Sequence, residues 1–190
     1  IICGISIPTS GYVKVNGYDV IKDPIKTRSL IGLVPQEISL EPFETVVSTV
    51  NFSRGLFGKA KNLIYIEKVL KQLSLWNKRD TRILELSGGM KKRVGIARAI
   101  AIRPRYMFYD EPTTGLDPIM TDSINRLISD FHSNHDVTSV IVTHEMKVVR
   151  DVSERVIMLH EGRVRYDGRS QELLNSGDTV INNFVIGKSS

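Results

Sequence analysis

Apolar residues in the second half of the chain repeat at the spacing of a helix. Met90, Val94, Ala97 and Ala101 fall at i, i+4, i+7 and i+11, which places them on one helical face. Pro104 ends this pattern, because proline removes a backbone donor and clashes with the preceding turn. The pattern therefore predicts an amphipathic helix that starts near Ser87.

Short apolar runs follow this helix and alternate with a second helical pattern. Tyr106–Tyr109 and Thr138–Thr143 are typical of buried parallel strands. The helix predicted between them has four apolar positions on one face, Ile124, Leu127, Ile128 and Phe131. This alternation predicts right-handed βαβ crossovers and a mostly parallel sheet.

The first half of the chain has two strand-like segments and then a helical stretch. Gly11–Gly17 predicts a short strand that ends in an Asn16-Gly17 turn, and Leu30–Val34 predicts a strand stopped by Pro35. From about 42 to 90 the spacing is helical, with apolar residues among charged ones at Ile64, Val69, Leu70, Leu73 and Leu75. We predict a helical subdomain inserted over about 42–90 into an α/β core, all within one domain of residues 1–190.

The last third of the chain predicts a helix, a hairpin and another short helix. In order, these are a helix at Met146–Val152, strands at Arg155–His160 and Arg163–Tyr166 around a Glu161-Gly162 turn, and a capped helix at Ser170–Leu174. The tail after Asn175 is weakly patterned, and we expect it to fray.

Composition narrows the class of protein. The 190 residues are 41% hydrophobic and 25% charged, as in ordinary globular domains, and no run approaches the roughly 18 apolar residues of a membrane span. The single cysteine, Cys3, excludes an intrachain disulfide, fits a reducing cytoplasm and is expected to be a buried small hydrophobe. The net charge of +5 is spread along the chain, with its densest cluster at Lys91-Lys92-Arg93. We interpret it as mostly solvated surface and expect no nucleic-acid partner.

Two acidic residues directly follow the first predicted buried strand. Asp110-Glu111 should emerge at the carboxyl edge of the sheet, where ligands of α/β proteins bind. An aspartate there can hold Mg²⁺ on a nucleotide phosphate, and a glutamate one residue later can orient or deprotonate an attacking water. Taken alone, the pair is more often a strand end followed by solvated acids.

A serine and two glycines open the predicted helix, within Leu86–Met90. Free N–H groups and the positive dipole end of a helix attract a phosphate, and Gly88 and Gly89 allow close backbone approach. The Ser87 hydroxyl adds a donor. The same residues are also an ordinary serine cap with glycine in the turn.

Two further polar residues follow predicted strands. His144 comes directly after Thr138–Thr143, where it can touch a γ-phosphate or orient water. Gln36 follows Leu30–Val34 through Pro35, where its carbonyl oxygen can ligate Mg²⁺. Each residue alone also fits a purely structural position.

The order of these features along the chain resembles the ATPases of ABC transporters. The matches are Gln36 to the Q-loop, Leu86–Met90 to the signature motif, Tyr106–Asp110 to Walker B with Glu111 as catalytic carboxylate, Thr114–Asp117 to the D-loop, and His144 to the switch histidine. The resemblance covers essentially the whole chain and implies a P-loop-type sheet with helices on both faces.

The resemblance also implies a set of roles and partners. By this resemblance, Glu111 and His144 are catalytic, and Asp110 and Gln36 bind Mg²⁺. The residues that contact ATP are Gln36, Ser87, Gly88, Gly89 and Asp117. Two ATPase subunits of this family dimerise head to tail, so that the signature acts on the partner's ATP. The implied partner is a membrane permease, which places the subunit peripherally on the cytoplasmic face of the inner membrane.

One family motif does not occur in these residues. The phosphate-binding loop, G-x-x-x-x-G-K-[ST], has no match, and we expect it, with the first strands of the sheet, upstream of Ile1. We therefore expect the chain as given to hydrolyse little or no ATP.

The cargo is less defined than the family. Met90 ends the signature as in drug-exporter-type and lipid-asymmetry ATPases, so the sequence predicts transport of a lipid or drug-like substrate. Two alternatives stay open, a soluble ABC-type ATPase without a permease and a non-catalytic fragment that binds a partner.

Overall fold

The computed structural model describes residues 1–173 and 175–186, which fall into two compact units, Ile1–Val142 and Thr143–Ser190. Among the described residues, no helix combines the length and apolarity needed to cross a membrane.

The first unit begins with a small hairpin. Strands β1 (Lys14–Val15) and β2 (Tyr18–Asp19) pair antiparallel. The predicted turn between them is confirmed, since Asn16 and Gly17 take positive φ angles of 52° and 85°. Such angles are tolerated best by glycine and asparagine. A short helix, α1 (Pro24–Ser29), follows.

A three-stranded parallel sheet forms the centre of this unit, and it confirms the predicted α/β fold. It contains β3 (Ile31–Val34), β4 (Tyr106–Asp110) and β5 (Thr138–Val142), in the order β3-β4-β5. Val34 pairs with Tyr109, and Asp110 pairs with Val142. All three strands therefore end at the same edge.

The prediction that β5 is a buried strand was wrong. Val140 and Val142 are 43% and 57% exposed, whereas Met107 and Tyr109 on β4 are buried. The reason is position, because within the described residues β5 pairs only with β4 and lies at the edge of the sheet.

Four longer helices complete the unit. They are α2 (Val46–Leu56), α3 (Leu63–Gln72), α4 (Gly88–Ala101) and α5 (Pro118–Asn134), with 3-10 turns at Trp76–Lys78 and Ile83–Glu85. The helical stretch lies between β3 and α4, as the pattern predicted; its behaviour as a separate subdomain stays a prediction. Helix α4 is buried on more than the one predicted face, because Gly95, Ile96 and Ile100 are buried too.

The second unit contains the predicted hairpin with helices packed on it. Its elements are α6 (Met146–Val152), β6 (Arg155–His160), β7 (Arg163–Arg169), α7 (Ser170–Leu173) and α8 (Thr179–Val185). Glu161 and Gly162 form the predicted turn, with φ of 48° and 72°. The core of the unit consists of Val149, Leu173 and Ile181.

Two details of this unit correct the sequence analysis. Ser170 is the first helical residue rather than the residue before the helix, and its hydroxyl donates to the Ser153 carbonyl at 2.5 Å; Leu174 lies outside the described residues. The tail expected to fray contains α8, because Asp178 caps it by accepting from Val180 and Ile181 N–H groups at 2.8 and 3.2 Å.

Candidate functional site

The parallel register brings three of the predicted site residues to one edge of the sheet. Gln36 and Glu111 each lie two residues beyond the Val34–Tyr109 pair, and Asp110 is the last residue of β4. Asp110 and Gln36 are exposed, and Glu111 is half-buried. Two carboxylate residues and one amide residue therefore lie at the carboxyl ends of β3 and β4, where the fold class binds ligands.

The backbone of Glu111 takes an uncommon conformation. Its φ is +46°, in the left-handed region that a non-glycine residue rarely adopts. Its N–H donates to the Val142 carbonyl at 2.9 Å, and its Oε2 accepts from the Thr114 hydroxyl at 3.1 Å. Such strain persists only where surrounding contacts hold it, and it concentrates at functional sites.

A lysine missed by the sequence analysis joins this edge. Lys92 Nζ donates to the backbone carbonyl oxygen of Gln36 at 2.7 Å. Burial lowers the pKa of Lys92, while the negative charges of Asp110 and Glu111 act to raise it. Lys92 is an exception to the mostly solvated charge that the sequence predicts, because it is half-buried against the loop after β3.

Arg93, the residue after Lys92 in the basic cluster, also forms hydrogen bonds within the fold. Arg93 donates to the Ser123 hydroxyl at 2.7 Å and to the Leu73 carbonyl at 3.4 Å. Arginine at this position therefore ties α4 to α5 and to the end of α3. The sequence did place Lys92 on α4, five residues after Ser87. Helical periodicity alone, however, does not predict which side chains of a helix a loop covers.

The predicted phosphate-binding turn lies at the start of α4. Ser87 caps the helix by accepting from the Met90 N–H at 3.4 Å. The Gly88 and Gly89 N–H groups have no acceptor within the described part of the chain. Capping is thus observed, whereas binding of a phosphate by these free donors stays a prediction.

The two glycines of this turn differ in their surroundings. A Cβ on Gly89 would lie 1.9 Å from Met120 Cε, whereas nothing lies within 4 Å of one on Gly88. Packing against α5 therefore accounts for the small residue at Gly89. It does not account for the glycine at Gly88.

Two other predicted site residues, Asp117 and His144, lie next to helix starts. The Asp117 carboxylate caps α5 by accepting from the Ile119 and Met120 N–H groups at 3.0 and 2.9 Å. His144 belongs to the second unit, just before α6. A nucleotide contact by Asp117 and a catalytic position for His144 both stay predictions.

The donor set at the sheet edge fits Mg²⁺. Magnesium is usually held by one or two carboxylates together with substrate phosphates, and it prefers oxygen ligands. Asp110 and Gln36 offer such oxygens. No group of three or more His, Cys, Asp or Glu residues suited to a metal occurs among the described residues.

A groove of about 320 Å³ opens beside the loop after β3. Its lining includes Ile38, Ser39, Ser53, Leu56, Phe57 and Arg98. The end of helix α2 forms part of the wall, where Leu56 and the C-cap residue Phe57 are 64% and 37% exposed. An apolar, partly open surface thus adjoins the loop that contains Gln36.

Comparison with known proteins identifies relatives across the whole chain. Residues 1–114 match the family described as ABC transporter. The chain is 36% identical over 189 residues to a methionine import ATP-binding protein, MetN, of Carboxydothermus hydrogenoformans, covering 96% of this chain and 56% of that protein. It is 36% identical over 153 residues to a probable amino-acid ABC transporter ATP-binding protein, y4tH, of Sinorhizobium fredii, covering 79% and 60%.

A solved structure has the same fold. CbiO1 from Clostridium perfringens, described as part of the ABC transporter complex cbiONQ, superposes with a TM-score of 0.80 at 27% identity, covering 96% of this chain and 75% of that one. This chain spans about half the length of the curated relatives it matches.

Proposed function

This chain belongs to the ABC transporter family, and from that premise we propose that it is part of an ATP-binding subunit that couples ATP hydrolysis to transport. The observation that supports this most is the meeting of Gln36, Asp110 and Glu111 at one sheet edge. Phosphoryl transfer depends on positioned charge rather than on covalent chemistry with the protein, and this edge offers positioned charge.

Within the proposal, Asp110 and Gln36 hold Mg²⁺, which when bound neutralises charge on the transferred phosphoryl group. Glu111 orients the attacking water and takes its proton. The Thr114 hydroxyl, 3.1 Å from Glu111 Oε2, keeps that carboxylate in place. His144 contacts the γ-phosphate or the water.

The rest of the site is shared between two subunits in this proposal. Ser87, Gly88 and Gly89 contact the ATP of a second subunit in a head-to-tail dimer, and Asp117 lies near the same junction. The free N–H groups at the start of α4 support this role. Since these residues include no G-x-x-x-x-G-K-[ST] segment, the experiments below use the full-length protein.

The membrane partner is a permease, and the subunit acts peripherally on the cytoplasmic face of the inner membrane. The groove beside the Gln36 loop supports this assignment, because the exposed apolar side chains of Leu56 and Phe57, at the end of α2, border it. A permease segment seated there would contact the same loop that reports the state of the nucleotide site. Co-purification with a membrane permease separates this proposal from a soluble ABC-type ATPase and from a partner-binding fragment.

For the cargo we favour import of an amino acid over the lipid or drug-like substrate that the signature ending in Met90 suggested. The relatives named for methionine or amino-acid transport support this choice, and none of those reported above is named for lipid or drug export. Uptake of labelled methionine by cells with and without the intact gene tests it. Unchanged uptake, together with altered export of a lipid or dye, would contradict it.

The test of the enzymatic assignment is Glu111→Gln in the full-length protein. We expect turnover to fall at least about 100-fold, because general-base catalysis contributes roughly 10²–10⁴, while ATP binding is retained and the closed dimer accumulates. Glu161→Gln is the matched control, since Glu161 also has a left-handed φ (48°) but lies in the β6–β7 turn. Equal turnover of the Glu111 variant and the control contradicts the role of Glu111.

A further inference from the structure

Two cationic side chains of α4 form hydrogen bonds with the loop that follows β3. Lys92 Nζ donates to the backbone carbonyl of Gln36 at 2.7 Å, and Arg98 Nη1 donates to the backbone carbonyl of Ser39 at 2.8 Å. Hydrogen bonds from charged donors are shorter and stronger than neutral ones. The two ends of the segment 36–39 are therefore both fastened to the same helix.

The middle of the segment is fastened by packing. A Cβ on Gly95 would lie 2.4 Å from Ile38 Cδ1, so the Ile38 side chain lies directly over the bare backbone of α4. Lys92, Gly95 and Arg98 are spaced i, i+3 and i+6, which puts them along one side of the helix. We call these three residues the α4 clamp.

Lys92 differs from the other members of the clamp because the residue whose backbone it holds, Gln36, lies at the same sheet edge as Asp110 and Glu111. The charges of Asp110 and Glu111 both act on its ammonium group. The same side chain thus connects the Gln36 backbone to the neighbourhood of the two carboxylates. Ser87, which caps α4, lies five residues earlier on that helix.

We propose that Lys92 is a positioning residue that holds the Gln36 segment to α4 beside the Asp110–Glu111 carboxylates, so that this segment and the Ser87 turn move together. The inference rests on the proposed function for its catalytic consequence, but the clamp itself concerns only this chain. Removing the ammonium group loosens Gln36, which then samples positions away from the metal-binding edge.

The first readout is hydrogen–deuterium exchange of the nucleotide-free full-length protein. In Lys92→Met, amides of the segment 36–39 should exchange roughly tenfold faster, the factor expected for loss of one charged hydrogen bond. Lys91→Met is the matched control, because it removes the same charge from the same helix at a side chain that makes no hydrogen bond or ion pair within the described residues. It should leave exchange of the segment unchanged.

The second readout separates positioning from general loss of structure. Lys92→Met should lower kcat roughly tenfold with little change in KM for ATP, because Gln36 matters most where charge develops in the transition state. Lys92→Arg keeps a cationic donor, and it should recover most of both kcat and amide protection.

Wild-type exchange rates in Lys92→Met overturn the clamp. Faster exchange with an unchanged kcat overturns the positioning role. Failure of Lys92→Arg to recover either quantity also counts against it, since a cationic donor at that position is then insufficient. A wild-type protein without ATP turnover contradicts the proposed function instead, and the exchange comparison still decides whether Lys92 holds the segment.

Discussion

Gly32 leaves no room for a side chain at the point where α4 packs on the sheet. A Cβ there would lie 2.4 Å from Met107 Sδ, 2.9 Å from the Ala99 carbonyl oxygen and 3.1 Å from Pro104 Cγ. The methionine can change rotamer, but the Ala99 carbonyl is part of the backbone of α4. Gly32→Ala therefore forces α4 and β3 apart.

Overpacking of this kind costs about 1–3 kcal/mol of the free energy of unfolding. For a chain of this size, that corresponds to a melting temperature lower by roughly 2–4 °C per kcal/mol. Gly55→Ala is the matched control, because Gly55 is exposed on α2 and nothing lies within 4 Å of an added Cβ. Since alanine favours a helix by up to ~1 kcal/mol over glycine, this variant should be more stable than wild type.

Both effects come from the same substitution, glycine to alanine, at two positions. Urea unfolding of the full-length wild type and both variants, monitored by circular dichroism, measures them. We expect opposite signs. A Gly32→Ala midpoint at or above the wild-type value would refute the reasoning, because it would mean that β3 and α4 accommodate the methyl group without separating. A lower midpoint for Gly55→Ala would show that the reference effect of alanine on a helix is misjudged.

Two other predictions concern the site and the core. Gly88→Ala has room for its methyl group, so the free energy of unfolding should stay equal or rise by up to ~1 kcal/mol, which a melting curve tests. ATP turnover of the dimer should fall, which steady-state kinetics measures. Burial raises the pKa of Tyr109, whose hydroxyl has no hydrogen-bond partner in the described structure. The neutral phenol therefore contributes stability that is present below about pH 10 and lost as the pH rises above it; unfolding from pH 8 to 11 should show Tyr109→Phe less sensitive to alkali than wild type.

The residues at the sheet edge were predictable, because the rule that places them there requires no knowledge of tertiary contacts. Asp110-Glu111 and Gln36 each follow an apolar run, and parallel strands end at a common edge. Burial of β5 was not predictable in the same way. An apolar run such as Thr138–Val142 says that a strand can be buried, but the number of strands beside it decides whether it is, and here only β4 pairs with it within the described residues.

The α4 clamp escaped the sequence analysis for a different reason. Lys92 stands in a run of three cations, and such a run is usually solvated. Its role comes from Gln36, which lies 56 residues earlier in the chain, and from the packing of Ile38 over Gly95. No local pattern contains that information, because it depends on where the loop after β3 crosses the helix.

Helix α4 is the element that joins the two halves of the proposed chemistry. Ser87 at its start is about 7.5 Å along the axis from Lys92, at 1.5 Å per residue. The helix is continuous through both points, and its later part, from Val94 to Ala101, is buried on more than one face and cannot bend without disturbing its neighbours. Met120 packs on Gly89 and holds the same end of the helix to α5. A displacement of the Gln36 segment must therefore either break the clamp or carry the Ser87 turn with it. The first outcome would uncouple the proposed metal-binding edge from the turn proposed to contact the partner's ATP, and the second would link the two sites of the proposed dimer through one helix.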